Sequence, residues 1–145
     1  MYLARRTPEE FQAGHPAVAD ANVPWSLRNS TGGLEPNPAF VHQVQALLWD
    51  RSTRIVLGCK SGVRAAAACL CLREHGYGHL ISVEGGFDAW AAQGLPVESG
   101  EVVPPSRKEI RRRMGADCTT AATWHHASTR QAWLLKQEQQ AVLRQ

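Results

Sequence analysis

One stretch near the middle of the chain constrains the fold more than any other. An apolar run, Ile55–Leu57, ends in a glycine and Cys59, and four residues then separate the cysteine from Arg64. An Ala- and Leu-rich segment continues to His75 without proline or glycine. This order favours a buried strand, a tight loop, and a helix that begins near Val63 or Arg64.

The predicted loop places the Cys59 thiol beside the N-terminus of that helix. The first backbone N–H groups of a helix have no partner within it, so they favour anions. Gly62 permits a tight turn, and Lys60 and Arg64 add two positive charges near the sulfur. Both features favour the nucleophilic thiolate form of a cysteine. Cys59 is therefore the candidate nucleophile, and the alternative is a small buried residue at the end of a strand.

The length of the loop separates two kinds of thiolate chemistry. Cysteine-dependent phosphatases surround phosphate with one residue more than the four found between Cys59 and Arg64. The smaller loop fits a terminal sulfur atom on the cysteine better than a tetrahedral phosphate. A phosphatase or arsenate reductase is therefore disfavoured, and hydrolysis of a phosphate ester would contradict this interpretation.

Further motifs accompany the loop. Residues Val83–Trp90 read Val-Glu-Gly-Gly-Phe-Asp-Ala-Trp, and Arg6–Phe11 read Arg-Thr-Pro-Glu-Glu-Phe, followed by Gly14-His15. Together with Cys59–Arg64 (Cys-Lys-Ser-Gly-Val-Arg), they resemble the motifs of the rhodanese (sulfurtransferase) family. The chain also resembles the single-domain thiosulfate sulfurtransferases of plants and algae, through Tyr2-Leu3, Asn22–Pro24 and Asn37-Pro38-x-Phe40.

The resemblance implies an α/β fold in which a parallel β-sheet is flanked by helices on both faces. Alternating predicted strands and helices favour the same architecture. The chain has Leu3-Ala4-Arg5-Arg6 where the family has Leu-Asp-x-Arg, so a negative charge near the cations is lost. It also begins close to the family's second strand, so we expect the usual first strand and helix to be missing.

The activity implied by the resemblance is sulfur transfer through a persulfide on Cys59. The thiolate attacks the outer sulfur of an anionic donor such as thiosulfate, and a thiol or cyanide then accepts the sulfur. The donor is expected to bind Lys60, Ser61, Gly62, Val63 and Arg64, and Lys60 favours an inorganic anion over 3-mercaptopyruvate. No cofactor or metal is needed. The alternative is a rhodanese-like binding or regulatory module with weak or no catalysis.

The remaining elements are predicted from local patterns. Strands are expected at Tyr2–Ala4, Asp20–Val23 and Leu80–Val83, and helices at 8–14 (after a capping box from Thr7 to Glu10), 38–50 and 87–93. The segment Trp25–Pro38, which contains glycines and prolines, is expected to be a loop. His15 is interpreted as a hydrogen-bonded loop residue rather than a catalytic base.

The resemblance implies a rhodanese-like domain over residues 1–100, short at its N-terminus, followed by a basic linker and helical extension over residues 101–145. The first carries a net charge of −1 and the second +4, within a total of +3. A basic cluster on a short helix at 107–113 is interpreted first as a solvated face; binding of an acidic protein partner is the alternative, and binding of nucleic acid is disfavoured. Cys118 with His125-His126 lacks metal-site spacing, and Ser128–Leu143 is a predicted helix.

The cysteines indicate a reducing compartment, chloroplast or cytoplasm by the resemblance. Cys69 lies about 9 Å along the predicted helix from Val63, too far for a disulfide with Cys59 unless the helix unwinds. Cys69 and Cys71 are therefore expected to serve packing. The sequence has no apolar run long enough to span a membrane. Its first residues have neither the apolar centre of a secretory signal nor the acid-poor composition of a transit peptide, so they are not expected to direct it to an organelle.

Overall fold

A computed structural model of the 145-residue chain describes the backbone of residues 1–117 and the side chains of residues 1–113. The chain divides into two compact units, Met1–Val103 and Pro104–Gln145. The expectations for Cys118, His125-His126 and Ser128–Leu143 lie outside the described residues. The division into residues 1–100 and 101–145 stays a prediction.

The first unit contains eight strands and four helices. Its strands are β1 (Tyr2–Ala4), β2 (His15–Pro16), β3 (Ala21–Asn22), β4 (Ser26–Arg28), β5 (Leu34–Pro36), β6 (Ile55–Gly58), β7 (Leu80–Ser82) and β8 (Val97–Glu98). Its helices are α1 (Pro8–Ala13), α2 (Phe40–Leu47), α3 (Val63–Glu74) and α4 (Gly86–Ala92), and the second unit contains α5 (Arg107–Asp117).

The central sheet has four parallel strands in the order β3-β1-β6-β7. Strand β1 lies beside β6 with Ala4 opposite Gly58. Every residue of β1 and β6 is buried. Because successive side chains of a strand point to opposite faces, both faces of the sheet are covered. This arrangement confirms the predicted α/β fold.

The sheet strands and helices α1 to α4 correspond to elements predicted from the sequence. Helix α1 begins with the predicted capping box, in which Thr7 Oγ1 accepts the Glu10 N–H at 3.3 Å and Glu10 Oε2 accepts the Thr7 N–H at 3.1 Å. Helix α2 is shorter than the expected 38–50. The side-chain oxygen of Asn37, Oδ1, accepts a hydrogen bond from the Ala39 N–H at 3.0 Å. This local turn favours a helix that begins after these residues.

The loop prediction for Trp25–Pro38 is wrong, because this segment contains the hairpin of β4 and β5, with Leu27 opposite Glu35. The hairpin is largely exposed, so no buried face produces an alternating pattern in its sequence. His15 also lies in a strand rather than a loop. Strand β2 pairs antiparallel with β8, with His15 opposite Glu98.

Candidate active site

Cys59 follows β6 directly and lies inside the short loop that leads to α3. The residue is only 1% exposed. The Gly62 N–H donates a hydrogen bond to Cys59 Sγ at 3.1 Å. A backbone N–H directed at the sulfur favours negative charge on that atom. The structure therefore brings together the sulfur and an amide donor of the loop.

The residues after Cys59 form the open rim of the loop. Lys60 and Ser61 are exposed, and Val63 is 74% exposed. Gly62 is the N-cap of α3 with φ +99°, a left-handed conformation that favours glycine. No side chain of the described residues caps this helix start. The first N–H groups of α3 are therefore available to an anionic ligand.

The first turn of α4 holds the loop from another side. The Phe87 N–H donates to the Cys59 carbonyl at 2.7 Å, and the Asp88 N–H donates to the Lys60 carbonyl at 3.0 Å. In a trans peptide the carbonyl and the next N–H point in opposite directions. The N–H groups of Lys60 and Ser61 are therefore turned away from α4.

Gly86 makes this close approach possible. A Cβ at Gly86 would lie 2.5 Å from the carbonyl oxygens of Cys59 and Lys60, and its φ is +57°. The sequence predicted a helix at 87–93 but not that Gly86 lets its first turn contact the backbone of the loop. Two consecutive glycines at a helix start are the signal that could have indicated such a close backbone approach.

Arg64 is bound by a partner that sequence reasoning did not identify. Its Nη1 and Nη2 donate to Glu10 Oε2 and Oε1 at 2.9 and 3.3 Å, and the two side chains are 17% and 20% exposed. Burial raises the pKa of Glu10, but hydrogen bonds from Arg64 and the Thr7 N–H, with the charges of Arg64 and Arg6, hold it below its usual value. One carboxylate thus connects the starts of α1 and α3.

Tyr2 supports the end of β6 from below the loop. This residue is 2% exposed, and a Cβ on Gly58 would overlap its hydroxyl. Trp90 packs edge to face against the Tyr2 ring at 6.3 Å between centroids. Burial raises the pKa of Tyr2 above its usual value, and negative charge on Cys59 acts in the same direction. The neutral phenol therefore fills the space that the missing side chain of Gly58 leaves.

Arg5 lies at the end of β1 and is completely buried, with 0% exposure. Its Nη1 donates to the Val23 carbonyl at 3.1 Å, and its guanidinium lies 4.5 Å from the centre of the Phe40 ring. Burial lowers the pKa of Arg5 to about 9. A buried arginine was not expected from the sequence, although it follows the position where the family's aspartate is replaced by Ala4.

Within the described residues, no group of three or more His, Cys, Asp or Glu side chains is arranged to hold a metal ion. Cys59, Cys69 and Cys71 are free cysteines. Among residues 1–117, no helix combines the length and apolar character needed to cross a membrane.

The sequence is similar to those of known proteins. The family model described as a rhodanese-like domain matches residues 4–93. The chain is 40% identical over 98 residues to thiosulfate sulfurtransferase 16, chloroplastic, from Arabidopsis thaliana, covering 68% of this chain and 79% of the relative. It is 38% identical over 97 residues to rhodanese-like domain-containing protein 15, chloroplastic, from the same plant. That match covers 67% of this chain and 52% of the relative, so the chain spans about half the relative's length.

A solved structure shows the same fold. The rhodanese-like domain of the Alr3790 protein from Anabaena sp. superimposes with a TM-score of 0.55 and 23% sequence identity, covering 68% of this chain and 97% of that domain. At this identity the likeness establishes the fold alone.

Proposed function

The chain belongs to the rhodanese-like domain family, and from this premise we propose that it is a sulfurtransferase in which Cys59 carries the sulfur. The observation that carries the proposal is the Gly62 N–H at 3.1 Å from Cys59 Sγ, in a loop whose carbonyl groups are held by α4. The names of relatives that include thiosulfate sulfurtransferase support the reaction class.

The proposed reaction has two displacements at sulfur. In the first, the Cys59 thiolate attacks the outer sulfur of thiosulfate, a bond forms between the two sulfur atoms, and sulfite leaves with the electron pair of the broken S–S bond. In the second, a thiol or cyanide attacks the outer sulfur of the persulfide, and the Cys59 thiolate is regenerated. Atoms and charge balance without an added oxidant, reductant or cofactor.

We assign the donor site to the loop residues Lys60, Ser61, Gly62, Val63 and Arg64. The exposed Lys60 ammonium attracts the anionic donor, and the Ser61 hydroxyl and the uncapped N–H groups at the start of α3 bind its oxygen atoms. The Arg64 guanidinium, which is held by Glu10, adds positive charge on the α1 side of the loop. The helix N-terminus and these cations also stabilise the departing sulfite.

The compartment is proposed from the relatives alone. Thiosulfate sulfurtransferase 16 and rhodanese-like domain-containing protein 15 are both named chloroplastic. We propose the chloroplast, a compartment in which Cys59 can remain free of disulfide bonds between turnovers. Import of a fluorescent fusion of the full-length protein into isolated chloroplasts would test this proposal, and exclusion from them would contradict it.

Intact mass after treatment with thiosulfate tests the sulfurtransferase proposal. Wild-type protein should gain the mass of one sulfur atom and lose it again on addition of cyanide, with release of thiocyanate. Cys59→Ser should gain nothing. Cys71→Ser is the matched control, because it removes a different free cysteine, one that lies on α3. It should behave as wild type.

Two results would overturn this function. Well-folded wild-type protein that forms no adduct and releases no thiocyanate would favour the binding or regulatory module. Hydrolysis of a phosphate ester that disappears in Cys59→Ser would show that the loop accepts a tetrahedral phosphate. Measurement of both activities on the same preparation separates these outcomes.

A further inference from the structure

We propose that Arg5 is a positioning residue for the anionic sulfur of Cys59, a cation that acts on the catalytic loop from within the protein core. The proposal rests on the proposed function in one respect only, that the reacting form of Cys59 is an anion. Arg5 occupies the variable position x of the family pattern Leu-Asp-x-Arg, so that pattern does not require a cation there.

The strand register brings Arg5 beside Cys59. Ala4 lies opposite Gly58 in the parallel pairing of β1 with β6. One residue further along, the Arg5 N–H donates to the Gly58 carbonyl at 2.6 Å. Arg5 and Cys59 therefore leave the ends of two adjacent strands next to each other.

The charge on Arg5 has no carboxylate partner among the described residues. Its Nη1 binds the Val23 carbonyl and its guanidinium stacks on Phe40, but Nε and Nη2 are buried without a hydrogen-bond partner within residues 1–113. A buried cation without a counter-charge is unfavourable by itself. Because water does not reach it, its field is weakly screened and favours an anion nearby.

Three cysteines belong to elements next to the strand that pairs with β1: Cys59 directly follows β6, and Cys69 and Cys71 lie on α3. Burial lowers the pKa of Arg5, whereas negative charge on Cys69, Cys59 or Cys71 would raise it. Burial raises the pKa of Cys69 to about 11 and that of Cys71 above its usual value, so both remain thiols near neutral pH. Cys59 is the member of the group that also accepts a backbone N–H, and it is therefore the sulfur on which Arg5 acts.

The other charged groups around the loop differ from Arg5 in their environment. Lys60 is exposed to water, and Arg64 is paired with Glu10. The remaining titratable groups that face this region are Tyr2 and Arg6 from the β1 segment, Cys69 and Cys71 from α3, and Asp88 from α4. Salt weakens the effect of an exposed charge more than that of a buried one. A contribution from Arg5 should therefore persist at high ionic strength.

The test measures how fast iodoacetamide alkylates Cys59 as the pH is raised. In the full chain carrying Cys69→Ala, Cys71→Ala and Cys118→Ser, Cys59 is the single cysteine. Adding Arg5→Met removes the charge but keeps an apolar side chain. The midpoint of the rate profile should move upward by about one pH unit at both low and high salt.

Arg73→Met is the matched control, because it removes the same charge from an exposed position on α3. It should leave the midpoint unchanged. Arg5→Lys keeps the charge and should restore most of the wild-type profile. A purely structural role for Arg5 predicts lower stability in both Arg5 variants without a shift of the midpoint.

An unchanged midpoint in folded Arg5→Met, or an equal shift in Arg73→Met, would overturn the proposal. If Arg5→Met does not fold, Arg5→Gln, which can still donate to the Val23 carbonyl, is measured with the same expectation and the same criterion. Alkylation requires no sulfur donor, so failure of this proposal is distinguishable from failure of the sulfurtransferase reaction.

Discussion

The N-terminus of α1 is capped by side chains and that of α3 is not, although the Glu10 carboxylate binds residues at both helix starts. At α1, Thr7 and Glu10 accept each other's backbone N–H groups. At α3, the N-cap is Gly62, which has no side chain to offer, and its own N–H is directed at the Cys59 sulfur. Helix α1 closes its N-terminus with the side chain of its N-cap residue and with that of Glu10 in its first turn. The helix that serves the proposed chemistry keeps its N-terminus open for a ligand.

The open start of α3 is held in place by its surroundings instead. The first turn of α4 binds the carbonyl groups of Cys59 and Lys60, and Glu10 binds the Arg64 side chain. These contacts come from other elements, and they fix the start of α3 as the capping side chain fixes the start of α1. Changes at each kind of contact therefore test how the two helix starts differ.

Gly86→Ala should have the largest effect, because its Cβ would overlap the carbonyl oxygens of Cys59 and Lys60. The backbone strain and the overlap together should destabilise the protein by about 2–4 kcal/mol. The loop can relieve the overlap only by moving away from α4, so formation of the Cys59 persulfide should be lost even in folded protein. Urea unfolding and intact mass after thiosulfate treatment measure the two effects.

Gly76→Ala is the control for backbone strain. Gly76 also has a positive φ, +88°, but a Cβ there would meet nothing within 4 Å. It should lose about 1 kcal/mol of stability and keep its persulfide. Equal loss of persulfide in the two variants would show that the contact between α4 and the loop has no specific role.

Glu10→Gln should have an intermediate effect, because it breaks the pair with Arg64 but leaves a side-chain oxygen for the Thr7 N–H. We expect a loss of about 1.5 kcal/mol at neutral pH, between the values typical of exposed and buried pairs. Exposed Glu74→Gln, at the end of α3, is the matched control and should change stability little.

The pH dependence of this effect has a defined sign. Burial opposes ionisation of Glu10, but its hydrogen bonds and the nearby arginines outweigh burial and lower its pKa. A carboxyl group with a lowered pKa in the folded state stabilises above its unfolded pKa, and this contribution is lost as the pH falls. The stability difference between wild type and Glu10→Gln should therefore shrink below about pH 4.5. A difference that is independent of pH from 7 to 3 would contradict an ionic role.

Thr7→Ala should have the smallest effect. It removes the side chain that caps α1, which typically lowers stability by about 1 kcal/mol. The loop and α3 do not depend on the Thr7 hydroxyl, so the extent of persulfide formation should match wild type. A loss of persulfide in folded Thr7→Ala would show that the two helix starts are coupled more closely than the structure indicates.

The elements nearest Cys59 could be predicted because their signals are local. A short apolar run, a glycine-containing loop and an Ala-rich segment indicate a strand, a loop and a helix without knowledge of the rest of the chain. The capping box of α1 is equally local. The exposed hairpin of β4 and β5 left no such signal, because neither strand has a buried face.

The contacts that organise the site could not be predicted, because they join distant parts of the chain. Glu10 and Arg64 are 54 residues apart in sequence. The α4 clamp involves backbone atoms alone, which no side-chain pattern reveals. Arg5 is buried by contacts with Val23 and Phe40, whereas an arginine in an isolated segment is ordinarily expected to face water.

The hydrogen bonds between α4 and the loop join main-chain atoms only, so they do not depend on which side chains the loop carries. The side chains of Lys60, Ser61 and Val63 extend from a backbone that is held by other means. Substitutions at these three positions can therefore alter which molecules are admitted while the cysteine keeps its place. The loop is a natural starting point for redesigning donor preference, with the framework left untouched.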